Sequence, residues 1–349
     1  MKIKDHIRPY RYTKEEIISL LQSQGADLDR LYKEADALRK KYMGDEVYIR
    51  GIIEFSNICA NDCLYCGIRA SNHFVNRYTM TPEEIMETVK TIESTHMVTT
   101  VVLQSGETPG LTDKEIGRMI IRIKKETNLA VTLSVGNRDK DTYKFWRDCG
   151  MDRYLLRFET SDKMLFERLH PDCSLKERIE CLYELKDLGV QTGSGFMIGI
   201  PGENLGTLAD NILLCRHLEL DMIGIGPFIP HPDTPLGMTK NAYDGDKDMF
   251  FKAIAVLRIF NPDSHIPATT AFDTIFPGEG RVLALKRGAN VYMPNFTPIK
   301  YRKEYFLYPD KPYVDESNEA TTMHVVSMVK SIGRKIGKGL GNSIRGRRS

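Results

Sequence analysis

The sequence has no long apolar run, no excess of charge of either sign and no low-complexity segment in its central part. Its 349 residues are 41% apolar and 28% charged, with a formal net charge of only +2. No run approaches the ~20 apolar residues of a bilayer-spanning helix, and no apolar stretch of a signal peptide follows Met1–His6. Charge alone does not indicate a nucleic-acid partner. We therefore expect a cytoplasmic enzyme that binds neither membranes nor nucleic acids.

Cysteine is scarce and unevenly placed. Four of the seven cysteines are scattered, at Cys149, Cys173, Cys181 and Cys215. The other three lie within eight residues, at Cys59, Cys63 and Cys66. An odd number of cysteines in a long chain without a signal peptide argues against a disulfide framework. The closely spaced trio instead indicates a metal site.

The trio has the spacing C-x3-C-x2-C and follows the first predicted strand. A structural zinc site is one alternative, but such a site normally has four nitrogen or sulfur ligands in two separated pairs. A buried structural cluster of cysteines is another, but the polar Asn61 and Asp62 in the loop do not suit it. Three thiolates suit a 4Fe-4S cluster that leaves one iron open. An open iron can be chelated by the amino and carboxylate groups of S-adenosylmethionine (SAM), and electron transfer to the sulfonium then yields a 5′-deoxyadenosyl radical. The spacing predicts this radical SAM chemistry.

Strands and helices alternate from about residue 47 onward. Capping boxes, such as Thr81 with Glu84, mark the starts of the helices between apolar, β-branched runs. The runs are Val47–Phe55, Thr99–Gln104, Ala130–Val135, Arg153–Phe158, Gln191–Ile198, Met222–Phe228, Ile266–Thr270 and Ala289–Met293. Eight such units predict a complete (β/α)8 barrel, with an open doubly wound sheet as the alternative. We expect an N-terminal helical extension over 1–45, the barrel over 46–310, and a C-terminal helix and basic tail over 311–349.

Polar and glycine-rich residues follow nearly every predicted strand, which favours the barrel because these positions converge at its C-terminal mouth. Gly106 and Glu107 follow the second strand, and glycine there permits close approach to a ligand. Glu159 and Arg178 are candidates for binding the polar ends of SAM, although a structural ion pair is the alternative.

Two pairs of inward-facing residues point to a polar ligand. Arg153 and Arg157 share one face of the fourth strand and offer positive charge to an anion, unless one of them pairs with Glu159. Thr132 and Ser134 share a face of the third strand, where buried hydroxyl groups need partners.

Several stretches resemble the HydE family of FeFe-hydrogenase maturases, over about residues 35–310. The longest, Gly224–Leu236, is more specific than the cysteine spacing. Biotin synthase and methylornithine synthase share the barrel and the trio, but we do not expect them to share this stretch together with Thr269 and Thr270. The similar stretches are Tyr48–Gly67, Leu103–Glu107, Asp152–Arg157, Gly224–Leu236, Ile266–Ala271 and Gly288–Pro298.

The resemblance implies an internal cavity with two sets of contacts. The SAM contacts that it implies are Tyr65, Gly106, Glu107, Ser134, Glu159 and Arg178. The substrate or anion contacts that it implies are Ser105, Thr132, Arg157, Thr269, Thr270 and Tyr301. It further implies radical attack on an iron–carbonyl–cyanide–cysteine precursor of the diiron subcluster. The implied partners are the maturases HydG and HydF and an electron donor such as ferredoxin or flavodoxin.

The C-terminal region departs from part of this family. Some members carry a second cysteine motif there, whereas Glu319–Val329 contains no cysteine, so we expect a single 4Fe-4S cluster. From Lys330 onward the chain has seven basic residues and no acids, which predicts a solvated, partly mobile terminus or a docking tail. A related radical SAM mutase or sulfur-inserting enzyme, and a scaffold that carries an iron precursor, remain alternatives.

Overall fold

The computed structural model describes residues 13–108 and 110–345, in which eleven strands and thirteen helices are present. The strands are β1 Glu46–Ser56, β2 Thr100–Ser105, β3 Ala130–Ser134, β4 Arg153–Leu155, β5 Gln191–Ser194, β6 Met197–Ile198, β7 Met222–Ile223, β8 Gly226–Pro227, β9 Pro267–Ala268, β10 Val291–Tyr292 and β11 Lys335–Ile336. The helices are α1 Lys14–Leu21, α2 Gly25–Met43, α3 Pro82–Ser94, α4 Asp113–Glu126, α5 Lys140–Asp148, α6 Lys163–Leu169, α7 Leu175–Asp187, α8 Leu205–His217, α9 Asp248–Phe260, α10 Thr270–Ile275, α11 Gly280–Lys286, α12 Ile299–Arg302 and α13 Asn318–Ser331.

The strands form a closed parallel barrel. The order in the sheet is β7-β5-β4-β3-β2-β1-β10-β9, so chain neighbours are also spatial neighbours. Ile223 donates its backbone N–H to the carbonyl of His265 at 2.8 Å, and His265 donates to Asp221 at 2.9 Å. These two bonds join β7 to the segment before β9 and complete the ring. The predicted (β/α)8 barrel is confirmed, and the open doubly wound sheet is wrong.

Two of the eight predicted strands are interrupted. β5 and β6 come from one predicted strand and β7 and β8 from another, and β6 pairs with β8 in a small separate sheet. Gly195 has φ +154°, and a β-carbon there would lie only 1.9 Å from the carbonyl oxygen of Gly224. Because the two backbones approach this closely, the regular pairing of β5 with β7 ends just before Gly195 and Gly224, and β6 pairs with β8 beyond them.

The outer layer follows the capping signals of the sequence. Thr81 and Glu84 form a capping box at the start of α3, and Thr112 with Glu115 does the same for α4. Ser174 is the N-cap of α7 but makes no side-chain hydrogen bond there. Within residues 13–108 and 110–345, every helix is too short or too polar to traverse a lipid bilayer.

The basic tail closes the N-terminal end of the barrel, so the prediction of a solvated terminus is wrong for its described part. β11 pairs with β1, and Arg345 lies 2.7 Å from Asp263. The guanidinium of Arg153 donates to the carbonyl of Leu340 at 2.7 Å and to Asn342 at 2.6 Å. Arg153 therefore binds the tail, not a ligand at the mouth. Part of the predicted tail, Gly346, Arg347 and Arg348, lies outside the described residues.

Candidate active site

One cavity of about 360 Å³ occupies the C-terminal half of the barrel interior, and the loops after the strands form its walls. The structure brings thirteen of the fifteen predicted site residues to this cavity. They are Cys59, Cys63, Tyr65, Cys66, Ser105, Gly106, Glu107, Ser134, Arg157, Glu159, Arg178, Thr269 and Thr270. The residues come from five barrel strands or the loops after them and from α7, so the site depends on the closed fold.

The loop that carries the cysteines, residues 57–67, is fixed on two sides. The backbone N–H of Glu107 points at the sulfur of Cys59 at 3.4 Å, and Gly67 donates to the carbonyl of Leu307 at 3.0 Å. A β-carbon on Gly106 would lie 2.2 Å from the carbonyl oxygen of Ile58. Glycine at this position therefore lets the loop after β2 pack directly against the first cysteine.

The three thiols suit a cluster better than a single ion. Burial raises the pKa of Cys63, and the neighbouring Cys66 and Cys59 raise it further. Burial also raises the pKa of Cys66 to about 12. In residues 13–108 and 110–345, no three His, Cys, Asp or Glu side chains converge as a single metal ion requires. In a cubane each thiolate binds a different iron, so three cysteines on one loop fit that donor set without converging on one point.

Glu107 connects three elements around the cysteine loop. Its carboxylate accepts from Asn61 Nδ2 at 2.8 Å and from the backbone N–H of Asn137 at 3.0 Å. Arg178, from α7, approaches the same carboxylate at 3.4 Å. A negative charge held between the cluster loop, β3 and α7 is therefore placed to bind a cationic group in the cavity.

Glu159 and Arg157 form a partly buried ion pair with unused hydrogen-bonding capacity. Arg157 Nη2 lies 3.0 Å from Glu159 Oε2, yet neither atom has a hydrogen-bond partner in the described part of the chain. Glu159 has φ +61°, a left-handed conformation that is costly for a non-glycine residue and is found at functional sites. Burial raises the pKa of Glu159, against the opposing effect of Arg157 and Arg178. Buried hydrogen-bonding atoms without partners beside the cysteines indicate a polar ligand.

Hydroxyl groups also line the cavity. Thr269 donates to the carbonyl of Ile225 at 2.9 Å and precedes α10, which begins at Thr270. Ser105 donates to the carbonyl of Gly106 at 2.7 Å. Ser134, at the end of β3, lies level with Gln104 of β2. These side chains face the cavity from both sides of the cysteine loop.

Two predicted substrate contacts lie outside this cavity. Thr132 is 1% exposed and lines a separate small pocket with Arg50, Arg153 and His265, deeper in the barrel. Tyr301 lies on α12, stacks on Tyr78 at 4.6 Å and donates to Glu84 at 2.9 Å. Thr132 faces inward as predicted but two residues too far from the mouth, whereas Tyr301 packs on the outer side of the wall.

The residues that cover the mouth are not among the predicted site residues. We call residues 303–311 the covering segment. Tyr305, Leu307, Tyr308 and Lys311 of this segment line the cavity, and Lys311 forms a buried ion pair with Glu54 of β1. The inward position of Glu54 follows from the period of two along β1. No periodic pattern marks the covering segment, because it is irregular.

His170 was also missed. It follows the last residue of α6, is 2% exposed and contacts the hydroxyl of Tyr65 at 2.8 Å. Burial, together with the positive charge of Arg178, lowers the pKa of His170 to about 4, against the opposing effect of the hydrogen bond to the carbonyl of Phe166. The imidazole is therefore neutral at physiological pH.

Comparison with known proteins identifies relatives over almost the whole chain. The model of the radical SAM superfamily matches residues 53–215. The FeFe hydrogenase maturase subunit HydE of Thermotoga maritima is 48% identical over 317 residues, which are 91% of this chain and 89% of that protein. The 3-methylornithine synthase of Methanosarcina barkeri is 30% identical over 82% of this chain and 80% of its own length. A crystal structure of methylornithine synthase (PylB) superposes with a TM-score of 0.81 at 27% identity and covers 95% of each chain.

Proposed function

This chain belongs to the HydE family of radical SAM enzymes, and we propose that it acts in maturation of the FeFe-hydrogenase active site. The Thermotoga maritima relative, named a hydrogenase maturase subunit, matches 91% of the chain. We propose as its substrate an iron–carbonyl–cyanide–cysteine precursor of the diiron subcluster. The substrate and the direction of radical attack rest on the family resemblance.

The observation that carries the proposal is the set of buried hydrogen-bonding atoms without partners on the charged side chains beside the cysteine loop. Glu159 Oε2, Arg157 Nε and Arg178 Nε lack hydrogen-bond partners in the part of the chain that the structure describes. Burial of such groups is costly unless a ligand satisfies them. SAM carries an ammonium, a carboxylate and ribose hydroxyls, which complement the carboxylate of Glu159 and the guanidinium of Arg178, whereas Arg157 is left for an anionic substrate.

Each residue near the cysteines has a proposed role. Cys59, Cys63 and Cys66 would hold one 4Fe-4S cluster with an open iron. When bound, this cluster supplies the electron that cleaves the sulfonium of SAM into methionine and a 5′-deoxyadenosyl radical. Glu107 would bind the ammonium of SAM. We assign the remaining SAM contacts to Tyr65, Gly106, Ser134, Glu159 and Arg178.

The substrate contacts that we propose lie on the other wall. Arg157 offers its guanidinium to an anionic complex, and Ser105, Thr269 and Thr270 offer hydroxyl groups. We assign neither Thr132 nor Tyr301 to the substrate, since Thr132 lines a separate small pocket and Tyr301 stacks on Tyr78. The covering segment would exclude water from the radical, because it lies over the mouth.

We further propose that the reaction takes place in the cytoplasm, where thiols remain reduced. HydG and HydF would act as partner maturases, and a ferredoxin or flavodoxin would deliver the electron. We propose a single cluster, because no second group of closely spaced cysteines exists in the sequence.

Two assays test the proposal at two levels. Anaerobically reconstituted protein with SAM and dithionite should form 5′-deoxyadenosine, and the Cys63→Ala variant should not. In a cell-free hydrogenase maturation mixture that lacks any other HydE, the protein should restore hydrogen evolution. SAM cleavage without restored hydrogen evolution would reject the maturase function and leave the radical chemistry in place.

A related radical SAM mutase is the second candidate function. It is favoured by the 3-methylornithine synthase relative and by the TM-score of 0.81 with the PylB structure. Incubation with lysine, the isomer of 3-methylornithine, separates the two functions. Formation of 3-methylornithine would support the mutase.

A further inference from the structure

The last turn of α6 holds the cysteine loop by two hydrogen bonds. The backbone N–H of Leu64 donates to the carbonyl of Leu169 at 2.9 Å. The next residue, Tyr65, has its hydroxyl 2.8 Å from Nε2 of His170. On the other side, the carbonyl of Leu64 accepts from the backbone N–H of Leu236 at 3.2 Å. The segment between the second and third cysteines is thus clamped between two loops of the barrel mouth.

The hydrogen-bond pattern defines which atom carries each proton. His170 Nδ1 lies 2.9 Å from the carbonyl oxygen of Phe166, which can only accept, so Nδ1 carries the proton. A neutral imidazole then has a lone pair on Nε2, and the Tyr65 hydroxyl must donate to it. Tyr65 therefore has one favoured direction for its O–H bond.

Packing restricts both rings to one orientation. The imidazole of His170 stacks on Phe166 with a centroid distance of 4.2 Å, and the Tyr65 ring meets it edge-on at 5.4 Å. Tyr65 also packs against a small apolar cluster that is separate from the main core. That cluster consists of Leu165, Leu169, Met197, Ile200 and Phe228. Rotation of Tyr65 would break both its hydrogen bond and this packing.

We propose that His170 is a positioning residue that orients Tyr65 and, through it, the segment between Cys63 and Cys66. Tyr65 lines the cavity between two proposed cluster ligands, so its orientation affects both the cluster and the adjacent SAM. The inference rests on the proposed radical SAM function and adds to it a residue, His170, that also lines the cavity and acts through Tyr65. Loss of the outer partner of a site residue commonly lowers activity by about 10- to 100-fold.

The test compares full-length, anaerobically reconstituted variants. His170→Phe removes the acceptor, Tyr65→Phe removes the donor, and His170→Gln offers a side-chain oxygen that can accept from Tyr65. The matched control is Tyr48→Phe, which removes a tyrosine hydroxyl bonded to Glu46 at 2.9 Å at the opposite end of β1. Iron content, the electron paramagnetic resonance (EPR) spectrum with and without SAM, and kcat and KM for SAM cleavage are measured.

We expect His170→Phe and Tyr65→Phe to retain the iron content of the parent protein. Both should lose about tenfold or more in kcat and show the same changed EPR spectrum with SAM. The double variant should be no worse than either single one, because both remove the same interaction. His170→Gln should recover part of kcat, and Tyr48→Phe should match the parent protein.

The outcomes separate the two proposals. Normal EPR spectra and kcat in Tyr65→Phe, or additive losses in the double variant, would overturn the positioning role while SAM cleavage by the parent protein stands. If His170→Phe fails to fold, Tyr65→Phe still decides, because it removes one oxygen and leaves His170 in place. A parent protein without a SAM-dependent EPR change would reject the proposed function and, with it, this role.

Discussion

Replacement of Glu107 by glutamine tests the proposed ammonium site by a change of one atom. Both carboxylate oxygens are in use: Oε2 accepts from Asn61 and Oε1 accepts from the backbone N–H of Asn137. Glutamine has one oxygen and one NH2 group, so one of these two donors would face another donor. An unsatisfied buried group costs about 1–3 kcal/mol, which we expect as the loss in the free energy of unfolding.

SAM binding should weaken by more than the loss of one hydrogen bond within the protein explains. The substitution also removes the negative charge between Arg178 and the proposed ammonium site. A hydrogen bond to a charged group contributes about 1.5–3 kcal/mol, so the Kd for SAM should rise about 10- to 150-fold. The Kd is measured by anaerobic titration of reconstituted protein, and the free energy of unfolding by urea denaturation. A second readout is KM for SAM in 5′-deoxyadenosine formation.

A matched control separates charge loss from general destabilisation. Glu115→Gln alters the capping box of α4, where Glu115 accepts from the backbone N–H of Thr112 at 2.8 Å, away from the cavity. It should lower stability slightly and leave the Kd for SAM unchanged. A Glu107→Gln variant whose Kd stays within threefold of the parent value would refute the assignment of Glu107 to the ammonium of SAM.

Four further changes test other parts of the structure. Cys63→Ala should abolish both the iron–sulfur absorbance and SAM cleavage, measured after reconstitution. Burial raises the pKa of Glu203 in the folded state to about 8, so the free energy of unfolding should fall as pH rises from about 4.5 to 8. In urea denaturation, the Glu203→Gln variant should not show this fall. Arg281→Met breaks a buried ion pair with Asp273 outside the active-site cavity, and should cost about 3–5 kcal/mol in urea denaturation without changing KM for SAM. Truncation after Gly333 removes the tail partners of Arg153 and should lower Tm in calorimetry.

The fold was predictable because eight apolar runs alternate with capped helices. The site was largely predictable for a related reason: in a parallel barrel, residues after the strands converge at one end. Glu107 and Glu159 belong to different βα units, yet Arg178 forms an ion pair with Glu107 and its charge also lowers the pKa of Glu159. No distance along the sequence indicates this, but the topology requires it.

Depth within the barrel was not predictable from the alternation of side chains. A period of two gives the face of a strand and not the level along it. At ~3.3 Å per residue, Arg153 and Arg157 are separated by roughly 13 Å along the chain, so one reaches the tail and the other reaches the cavity. Thr132 pairs in register with Arg153, which places it at the same deep level. The wrong predictions for Arg153 and Thr132 therefore have one cause, which is that both residues lie too deep in the barrel to reach the cavity.

Both ends of the barrel are closed by segments outside its eight strands. The tail covers the N-terminal end through Arg153, and the covering segment lies over the mouth through the ion pair of Lys311 with Glu54. A radical that can abstract hydrogen from many donors requires such enclosure, because open solvent and mobile side chains would divert it. The strands and their loops therefore supply the chemistry, and the covering segment and the tail supply the isolation that the chemistry needs. Alternation of side chains predicts the first property, whereas the second depends on long-range contacts.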